Sequence, residues 1–308
     1  MASNPALVVR LVSASVMIAN RAGSIIREIM KAGDLGVVHK DKAKTDPQTE
    51  ADRKAQRCIV ASLSKRFPGV AVIGEEELTQ DEESLLEMGD SEEVLKVECP
   101  ADLKDVQPSE VCIWVDPVDG TTEYTQGFLD HVTVLIGVAV NGKAVGGVIH
   151  QPYYNYQAGP GAPMGRTMWG IVGVGCFGCD HRDRAGGKRV ITTTRSHGTE
   201  AVQETIDAMQ PDEVLRVGGA GHKVLLLLEG RASAYIFASP GCKKWDTCAP
   251  QALLNAMGGK LTDVHGNLYE YHKEVKHRNM GGVIAAYRNH DFYLSRVPQS
   301  IKDQLPAA

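Results

Sequence analysis

Two apolar segments near the middle of the chain are separated by only two residues, and this arrangement constrains the fold more than any other feature. Residues 132–140 and 143–149 are rich in Val, Ile, Ala and Gly, and Asn141-Gly142 lies between them. Asn-Gly is favoured in two-residue β-hairpin turns, because both of its positions accept positive φ angles. The sequence therefore predicts a buried antiparallel hairpin within an antiparallel-rich sheet.

Apolar residues at helical spacing precede the hairpin. They predict a long amphipathic helix over residues 5–32, which Gly33 ends, and a second helix over residues 49–67. Further strands are predicted at 70–73, 111–115, 153–157, 167–171, 189–193, 214–217, 233–237, 260–262 and 283–286, and further helices at 199–209, 221–229 and 246–257. This order predicts a mixed α/β (α+β) layered sandwich with two closely packed subdomains, residues 1–155 and 156–308.

The charge of the chain is unevenly distributed. With 33 Lys and Arg against 38 Asp and Glu, the 308 residues carry a formal charge of -5. Residues 75–110 hold fourteen acidic residues and two lysines, so the remainder of the chain is net positive. Since this acidic stretch has little apolar periodicity, we expect a solvated excursion with one short helix. Because the overall balance is not basic, we expect no nucleic-acid partner.

Cysteine spacing and hydropathy indicate the environment of the protein. Seven irregularly spaced cysteines are typical of reduced thiols, so we expect an intracellular, cytoplasmic protein. Cys176 and Cys179 have the spacing of metal ligands, but no second Cys or His pair accompanies them. Buried or half-buried thiols in a glycine-rich strand are therefore favoured over a zinc site. No segment approaches the ~20 uninterrupted apolar residues of a membrane helix, and we expect no membrane partner.

The sequence Asp116-Pro-Val-Asp-Gly-Thr121 follows a predicted buried strand. Its two carboxylates, on a turn constrained by proline and glycine, can converge on one point, and the Val118 carbonyl lies between them. Oxygen ligands of this kind suit Mg²⁺, and Thr121 adds a hydroxyl nearby. For this motif alone, an ordinary Asp-Pro turn is the alternative.

Other acidic residues lie at further element boundaries. Glu75 and Glu76 follow the predicted strand at 70–73, whereas Asp52 and Asp246 lie near helix starts. Helix capping is the alternative explanation for the residues at helix starts. These acids are distant in sequence, but each lies at the start or end of a predicted helix or strand. A phosphatase site with two or three metal ions requires several acids placed in this way.

Together these motifs resemble the inositol monophosphatase superfamily of Mg²⁺-dependent, lithium-sensitive phosphatases, and more closely its 3′(2′),5′-bisphosphate nucleotidase branch. The resemblance rests on residues 116–121, on Trp245-Asp246 and on Gly74-Glu-Glu76, and it extends to about Pro298. It implies the layered α-β-α-β-α sandwich of the inositol monophosphatase and fructose-1,6-bisphosphatase type, with the site in the cleft between the subdomains.

The resemblance also implies roles for individual residues. Six residues would surround two or three Mg²⁺ ions, most of them in the N-terminal subdomain: Glu75, Glu76, Asp116, Val118, Asp119 and Asp246. Asp116 would bridge the two main ions, and Glu76 would help to hold a weaker third ion. Asp52 and Thr121 would hydrogen-bond to each other and take a proton from the attacking water. Li⁺ would inhibit by occupying the second Mg²⁺ position.

Substrate binding is expected in the C-terminal subdomain. A glycine-rich segment precedes the predicted helix at 221–229, whose first amides can bind an anion, and Lys223 adds a charge that opposes the helix dipole. Arg195 and His197 supply two further candidate cations. The resemblance assigns the following residues to the substrate: Thr194, Ser196, His197, Gly219 and Lys223. A capped strand end and a glycine-rich turn are the alternatives from the residues alone.

The resemblance implies an enzyme that hydrolyses the 3′-phosphate of 3′-phosphoadenosine 5′-phosphate to AMP and phosphate, with the 5′-phosphosulfate analogue as a further candidate. A side activity on inositol 1,4-bisphosphate is expected, and inositol polyphosphate 1-phosphatase as the main activity is the alternative. Thr122-Glu-Tyr replaces the Thr-Asn-Phe common in inositol monophosphatases, which argues against inositol monophosphate. A catalytically silent binding protein is a third hypothesis, although every expected ligand position is filled. We expect a monomer or a weak dimer.

Overall fold

The computed structural model describes residues 5–43, 46–76, 85–159, 161–180, 182 and 186–308. Its strands are β1 (Val38–His39), β2 (Pro47–Gln48), β3 (Ala71–Gly74), β4 (Val111–Asp119), β5 (Thr133–Val140), β6 (Lys143–Gln151), β7 (Arg166–Ile171), β8 (Gly175–Phe177), β9 (Val190–Thr194), β10 (Glu213–Val217), β11 (Ala234–Phe237), β12 (Lys260–Thr262) and β13 (Val283–Ala286). Its α-helices are α1 (Leu7–Ala32), α2 (Glu50–Arg66), α3 (Glu92–Leu95), α4 (Thr121–Gln126), α5 (Glu200–Ala208), α6 (Ala220–Leu228), α7 (Lys244–Ala256), α8 (His290–Leu294) and α9 (Gln299–Gln304).

The predicted hairpin forms the middle of a six-stranded sheet. β5 and β6 pair antiparallel, and Asn141 and Gly142 have φ angles of 48° and 78°. The strand order of this sheet is β3-β4-β5-β6-β7-β8, in which only β3 and β4 are parallel. A second sheet has the order β10-β9-β11-β13-β12, and β1 and β2 form a separate short pair. The antiparallel-rich centre of the fold is thus confirmed.

The helices form layers on both sides of the two sheets. α1 and α2 pack on one face of the six-stranded sheet, and α7 packs on its opposite face. α6 contacts α7 and strands of both sheets, while α5 and α8 contact the five-stranded sheet. The order helix, sheet, helix, sheet, helix confirms the predicted α-β-α-β-α sandwich. Two apolar clusters separate the layers, one centred on α1 and α2 and the other on α6 and α7.

Glycines in the central strands allow α7 to pack closely on the six-stranded sheet. A Cβ atom at Gly137 would lie 2.6 Å from the backbone nitrogen of Ala249, and one at Gly147 would lie 2.9 Å from the Ala249 Cα. Such distances are shorter than carbon contacts allow, so only glycine fits at these two positions. This close packing fixes the height of α7 above the sheet, and α7 carries Asp246 in its first turn.

Helix α1 is long and apolar enough to cross a membrane by length and composition alone. Its most apolar window is 72% buried inside the fold, where it packs against α2 and the six-stranded sheet. The apolar face of α1 is therefore used in the core.

One sequence prediction about the fold was wrong, and another was confirmed only in part. Residues 153–157 form turns instead of a strand, because Asn155 has a φ of 67° and Tyr153 turns inward to donate a hydrogen bond to the Ile26 carbonyl. The acidic stretch is not simply solvated: Val94 in α3 and Leu103 are buried against the α1 and α2 cluster. Part of this stretch, residues 77–84, lies outside the described residues.

The predicted subdomain boundary near residue 155 stays a prediction. The chain leaves the six-stranded sheet after Phe177 and enters the five-stranded sheet at Val190. Strands β7 and β8, which follow residue 155, thus belong to the six-stranded sheet.

Candidate active site

A cavity of about 680 Å³ lies between the two sheets and gathers residues that are distant in sequence. Eleven of the thirteen residues predicted for the site line it: Glu75, Asp116, Val118, Asp119, Thr121, Thr194, Ser196, His197, Gly219, Lys223 and Asp246. The other two, Asp52 and Glu76, are buried and hydrogen-bonded to its surroundings. The structure therefore brings most of the predicted site residues together around one cavity.

Strand β4 is longer than predicted and includes the central acidic pair, Asp116 and Asp119. It extends through Asp119, and all nine of its residues are buried. The pairing of β4 with β5 is regular up to Asp116, and the register then shifts before Asp119. Such an irregularity re-aims side chains at a strand end, so both carboxylates can face the same cavity. The Val118 amide donates to the Asp116 carboxylate over 3.1 Å and holds this turn.

Asp52 and Thr121 form the pair that the family resemblance implies. The Thr121 hydroxyl oxygen lies 2.9 Å from Asp52 Oδ1 and 2.9 Å from the Val118 carbonyl oxygen. Asp52 also accepts hydrogen bonds from the Thr49 amide at 2.7 Å and the Thr49 hydroxyl at 2.5 Å. Asp52 thus caps α2 and contacts Thr121 at once. The capping that the sequence offered as an alternative is therefore present together with the Thr121 contact, and the catalytic role of Asp52 stays a prediction.

Burial changes the acidity of Asp52. Its side chain is 1% exposed, and burial raises the pKa to about 7 although the Thr49 and Thr121 hydrogen bonds favour the charged form. A carboxylate with a pKa near neutrality can accept a proton during a reaction and release it afterwards. The Asp52–Thr121 pair therefore has the properties of a general base.

Buried acids crowd the floor of the cavity. Burial raises the pKa of Asp116 well above its usual range, and the nearby charges of Glu75, Asp119 and Asp246 add to the effect. Burial likewise raises the pKa of Asp246 to about 7, even though its carboxylate accepts a 2.7 Å hydrogen bond from the Lys243 amide at the start of α7. Several carboxylates so close together need positive charge to remain ionised together.

Two lysines supply positive charge beside this acidic group. Lys40 Nζ lies 2.9 Å from Glu75 and 2.5 Å from Glu76, and Lys243 Nζ lies 3.6 Å from Glu75. Burial acts to lower the pKa of Lys40, but Glu75 and Glu76 outweigh it. The pKa of Lys40 is therefore raised, and the lysine stays charged. Among the described residues, no three acidic, thiol or imidazole groups are already arranged as a metal site. In this structure Lys40 and Lys243 provide the positive charge next to the two glutamates.

The amides at the start of α6 have a different hydrogen-bond partner from the one predicted. The amides of Ala220 and Gly221 were expected to bind a substrate anion, but they donate to Asp119 at 2.7 and 2.8 Å. The Thr133 hydroxyl donates to the same carboxylate at 2.6 Å. The helix N-terminus thus orients a carboxylate of the protein, which fills the anion position for which such amides are suited. Burial raises the pKa of Asp119, and these three hydrogen bonds oppose the shift.

Lys223 lines the cavity, although little of it is exposed. Its side chain is buried, and Nζ donates to the Gly219 carbonyl at 2.8 Å. Burial lowers the pKa of Lys223, and the charge of Asp119 opposes this shift. The lysine therefore lies where its charge reaches both the acidic group and the cavity.

Only part of the predicted substrate-binding segment, residues 194–197, lines the cavity. Thr194, Ser196 and His197 line the cavity, and the Thr194 hydroxyl accepts the His197 amide at 3.0 Å. Arg195 does not line the cavity. Its guanidinium pairs with Glu123 at 3.3 Å and lies over the Phe128 ring at 4.2 Å, so its charge is already engaged.

Sequence reasoning missed four residues that shape the site: Lys40, Glu123, Thr133 and Lys243. Lys243 had a signal, because it precedes the Trp245-Asp246 motif by two residues. Lys40 had none, since its role depends on how the β1–β2 segment folds back over Glu75.

Comparison with known proteins identifies the family. The model of the inositol monophosphatase family matches residues 8–302. The chain belongs to this family. It is 56% identical to 3′(2′),5′-bisphosphate nucleotidase 1 of Rattus norvegicus and 55% identical to that of Homo sapiens, in each case over 99% of both chains.

Solved structures support the same fold. The extragenic suppressor protein suhB of Bartonella henselae superimposes with a TM-score of 0.66 at 23% identity, covering 94% of this chain and 97% of its own. At this identity the similarity concerns the fold, which agrees with the layered sandwich described above.

Proposed function

We propose that this member of the inositol monophosphatase family is a Mg²⁺-dependent 3′(2′),5′-bisphosphate nucleotidase. It removes the 3′-phosphate of 3′-phosphoadenosine 5′-phosphate and accepts the 5′-phosphosulfate analogue. The observation that carries the proposal is the 56% identity over 99% of both chains to a relative of that name. The cavity supports it, because it combines buried carboxylates with neighbouring hydroxyl, imidazole and lysine groups. Inositol polyphosphate 1-phosphatase as the main activity is not favoured by these relatives.

The donor set fits Mg²⁺. Oxygen ligands are offered by the following residues: Glu75, Glu76, Asp116, Val118, Asp119 and Asp246. Mg²⁺ prefers carboxylate and carbonyl oxygens and keeps several waters. The raised pKa of Asp116, caused by burial and then by its acidic neighbours, indicates a group of charges that a divalent cation would relieve. When bound, Mg²⁺ supplies the positive charge that stabilises the transferring phosphoryl group. Li⁺ inhibition at the second ion position is part of the proposal.

The residues of the chain itself provide the proton transfer. Thr121 donates its hydroxyl hydrogen to Asp52, which leaves lone pairs on the hydroxyl oxygen free to accept a proton from a water in the cavity. The Asp52 carboxylate takes up the hydroxyl proton in return, because burial raises its pKa to about 7. The pair thereby converts the water into the nucleophile.

Residues of the C-terminal half of the chain bind the substrate phosphates in this proposal. Ser196 and His197 line the cavity and are exposed, so they can meet a substrate directly. Lys223 is buried and adds positive charge beside Asp119, and Gly219, whose carbonyl accepts a hydrogen bond from Lys223, also lines the cavity. We propose that these groups hold the doubly phosphorylated nucleotide.

The test is phosphate release from 3′-phosphoadenosine 5′-phosphate and from inositol 1,4-bisphosphate, each with Mg²⁺ and with a chelator. We expect Mg²⁺-dependent release from the nucleotide and slower release from the inositol bisphosphate. Asp119→Asn, with the fold checked by its melting temperature, should abolish most turnover. If neither substrate is hydrolysed in Mg²⁺, the enzyme proposal fails, and faster turnover of the inositol bisphosphate would reverse the substrate assignment.

The cellular setting is also proposed. All seven cysteines are free thiols, which is consistent with a reducing compartment such as the cytoplasm. We propose a monomer or a weak dimer, which sedimentation at several protein concentrations would test.

A further inference from the structure

Two cysteines that the proposed function does not use lie side by side at the edge of the six-stranded sheet. Cys176 is in β8, and Cys179 follows three residues later. Their Sγ atoms are 3.6 Å apart. Both side chains are half-buried, and neither lines the cavity between the sheets. They are therefore partly exposed and do not belong to the candidate active site.

The backbone between the two cysteines is held by the fold. Gly178 has a φ of 78°, and a Cβ atom there would lie 2.3 Å from the Thr167 carbonyl oxygen. The Phe177 ring stacks on Trp169 with centroids 4.2 Å apart. The tertiary structure thus holds the two Sγ atoms 3.6 Å apart, and closing a disulfide requires them to approach to the bonding distance of about 2.05 Å.

The two thiols differ in acidity. The hydrogen bond between the two thiols lowers the pKa of Cys179, although burial opposes this. The same hydrogen bond, with burial, raises the pKa of Cys176. The other five cysteines are buried: Cys58, Cys99, Cys112, Cys242 and Cys248. Because the thiolate is the nucleophile, Cys179 is the thiol suited to react first.

We propose that Cys176 and Cys179 form a redox-active dithiol, a modification site that closes to an intramolecular disulfide by exchange with a small-molecule disulfide. The Cys179 thiolate attacks one sulfur of that molecule, forms a mixed disulfide and releases one thiol. Cys176 then attacks Cys179 Sγ and gives up its proton to the second thiol that leaves. Two electrons and two protons pass from the protein to the small molecule, which is reduced to two thiols.

The test uses the full chain incubated with oxidised glutathione and, separately, with reduced glutathione. We expect the oxidised sample to lose two of its seven alkylatable thiols and the mass of two hydrogen atoms. Peptide mapping should join residue 176 to residue 179. Cys176→Ser should stop at a glutathione adduct on Cys179, and Cys179→Ser should form no disulfide. Cys99→Ser is the control, since it should still close the bond.

Three results would overturn the proposal. The first is a wild-type chain that keeps all seven thiols in oxidised glutathione, and the second is a disulfide mapped to other cysteines. The third is a Cys176→Ser variant, folded by its melting temperature, that carries no adduct on Cys179. The wild-type experiment alone decides the main claim, so it does not depend on the folding of any variant.

Discussion

Asp52 combines two tasks that usually belong to different residues. It completes the capping box of α2 with Thr49, and its other carboxylate oxygen accepts a hydrogen bond from Thr121, 69 positions away. The helix start thereby fixes the orientation of the carboxylate, so the Thr121 hydroxyl has a defined direction. A base that is oriented by its own scaffold needs little rearrangement during a reaction.

This arrangement leads to a prediction for substitutions of the pair. Asp52→Asn should lower kcat by about 10²–10⁴-fold, since proton transfer by a positioned side chain contributes about that much. Thr121→Ala should show a similar loss, whereas Thr121→Ser keeps the hydroxyl and should retain most activity. The measurement is phosphate release at saturating nucleotide and Mg²⁺. Equal activities of the Ala and Ser variants would refute the role of the hydroxyl.

A second prediction at this scale concerns Lys40, which pairs with both Glu75 and Glu76. Because a lysine and a metal ion would compete for the same carboxylates, Lys40→Met should increase the affinity for Mg²⁺. Calorimetric titration of chelator-treated protein with Mg²⁺ measures this affinity. Lys40→Arg, which keeps the charge, is the matched control and should bind Mg²⁺ much as the wild type does. Weaker binding by Lys40→Met would show instead that the lysine supports the metal site.

At the scale of elements, the close contact between α7 and the central sheet decides where Asp246 lies. Gly137→Ala places a methyl group 2.6 Å from the Ala249 backbone nitrogen. Overpacking of this kind costs about 1–3 kcal/mol of unfolding free energy. Since α7 would move outward with Asp246, activity should fall as well. Denaturant unfolding and phosphate release measure the two effects.

Gly198→Ala is the matched control for this substitution. Gly198 has no heavy atom within 4 Å of the position of an added Cβ, so its replacement should change the free energy of unfolding by no more than about 0.5 kcal/mol. If Gly137→Ala were equally harmless, the close packing of α7 would not control the site.

At the scale of the whole molecule, the buried acids link stability to pH. Burial raises the pKa of both Asp52 and Asp246 from 3.8 to about 7. Between about pH 4 and pH 7 the folded protein therefore holds protons that the unfolded chain has released, and stability falls as pH rises through this window. Each pKa unit corresponds to about 1.4 kcal/mol, so the loss is on the order of 4 kcal/mol for each of the two groups.

The corresponding measurement is the melting temperature of chelator-treated protein at several pH values between 5 and 8. We expect it to fall as pH rises, and we expect added Mg²⁺ to restore it at pH 8, because the cation stabilises the ionised carboxylates. A melting temperature of the metal-free protein that rises with pH would contradict the assigned acidities.

Most of the fold could be predicted because its signals are local. The Asn141-Gly142 turn, the helical spacing in α1 and the strand β13 at 283–286 depend on neighbours along the chain, and the structure has all three. The tyrosines at 153–157 misled the prediction, because Tyr153 is buried and bonded to the Ile26 carbonyl of α1 from a turn instead of from a strand.

The motifs of the sequence were enough to indicate the family and to predict which residues form the site. What those residues contact became known only from the folded chain. The α6 amides bind Asp119 instead of a substrate anion, Arg195 pairs with Glu123, and Lys40 reaches Glu75 from a segment 35 residues earlier. Hydrogen bonds and ion pairs between distant segments depend on distances in space, and these are set by the packing of layers that no local pattern records.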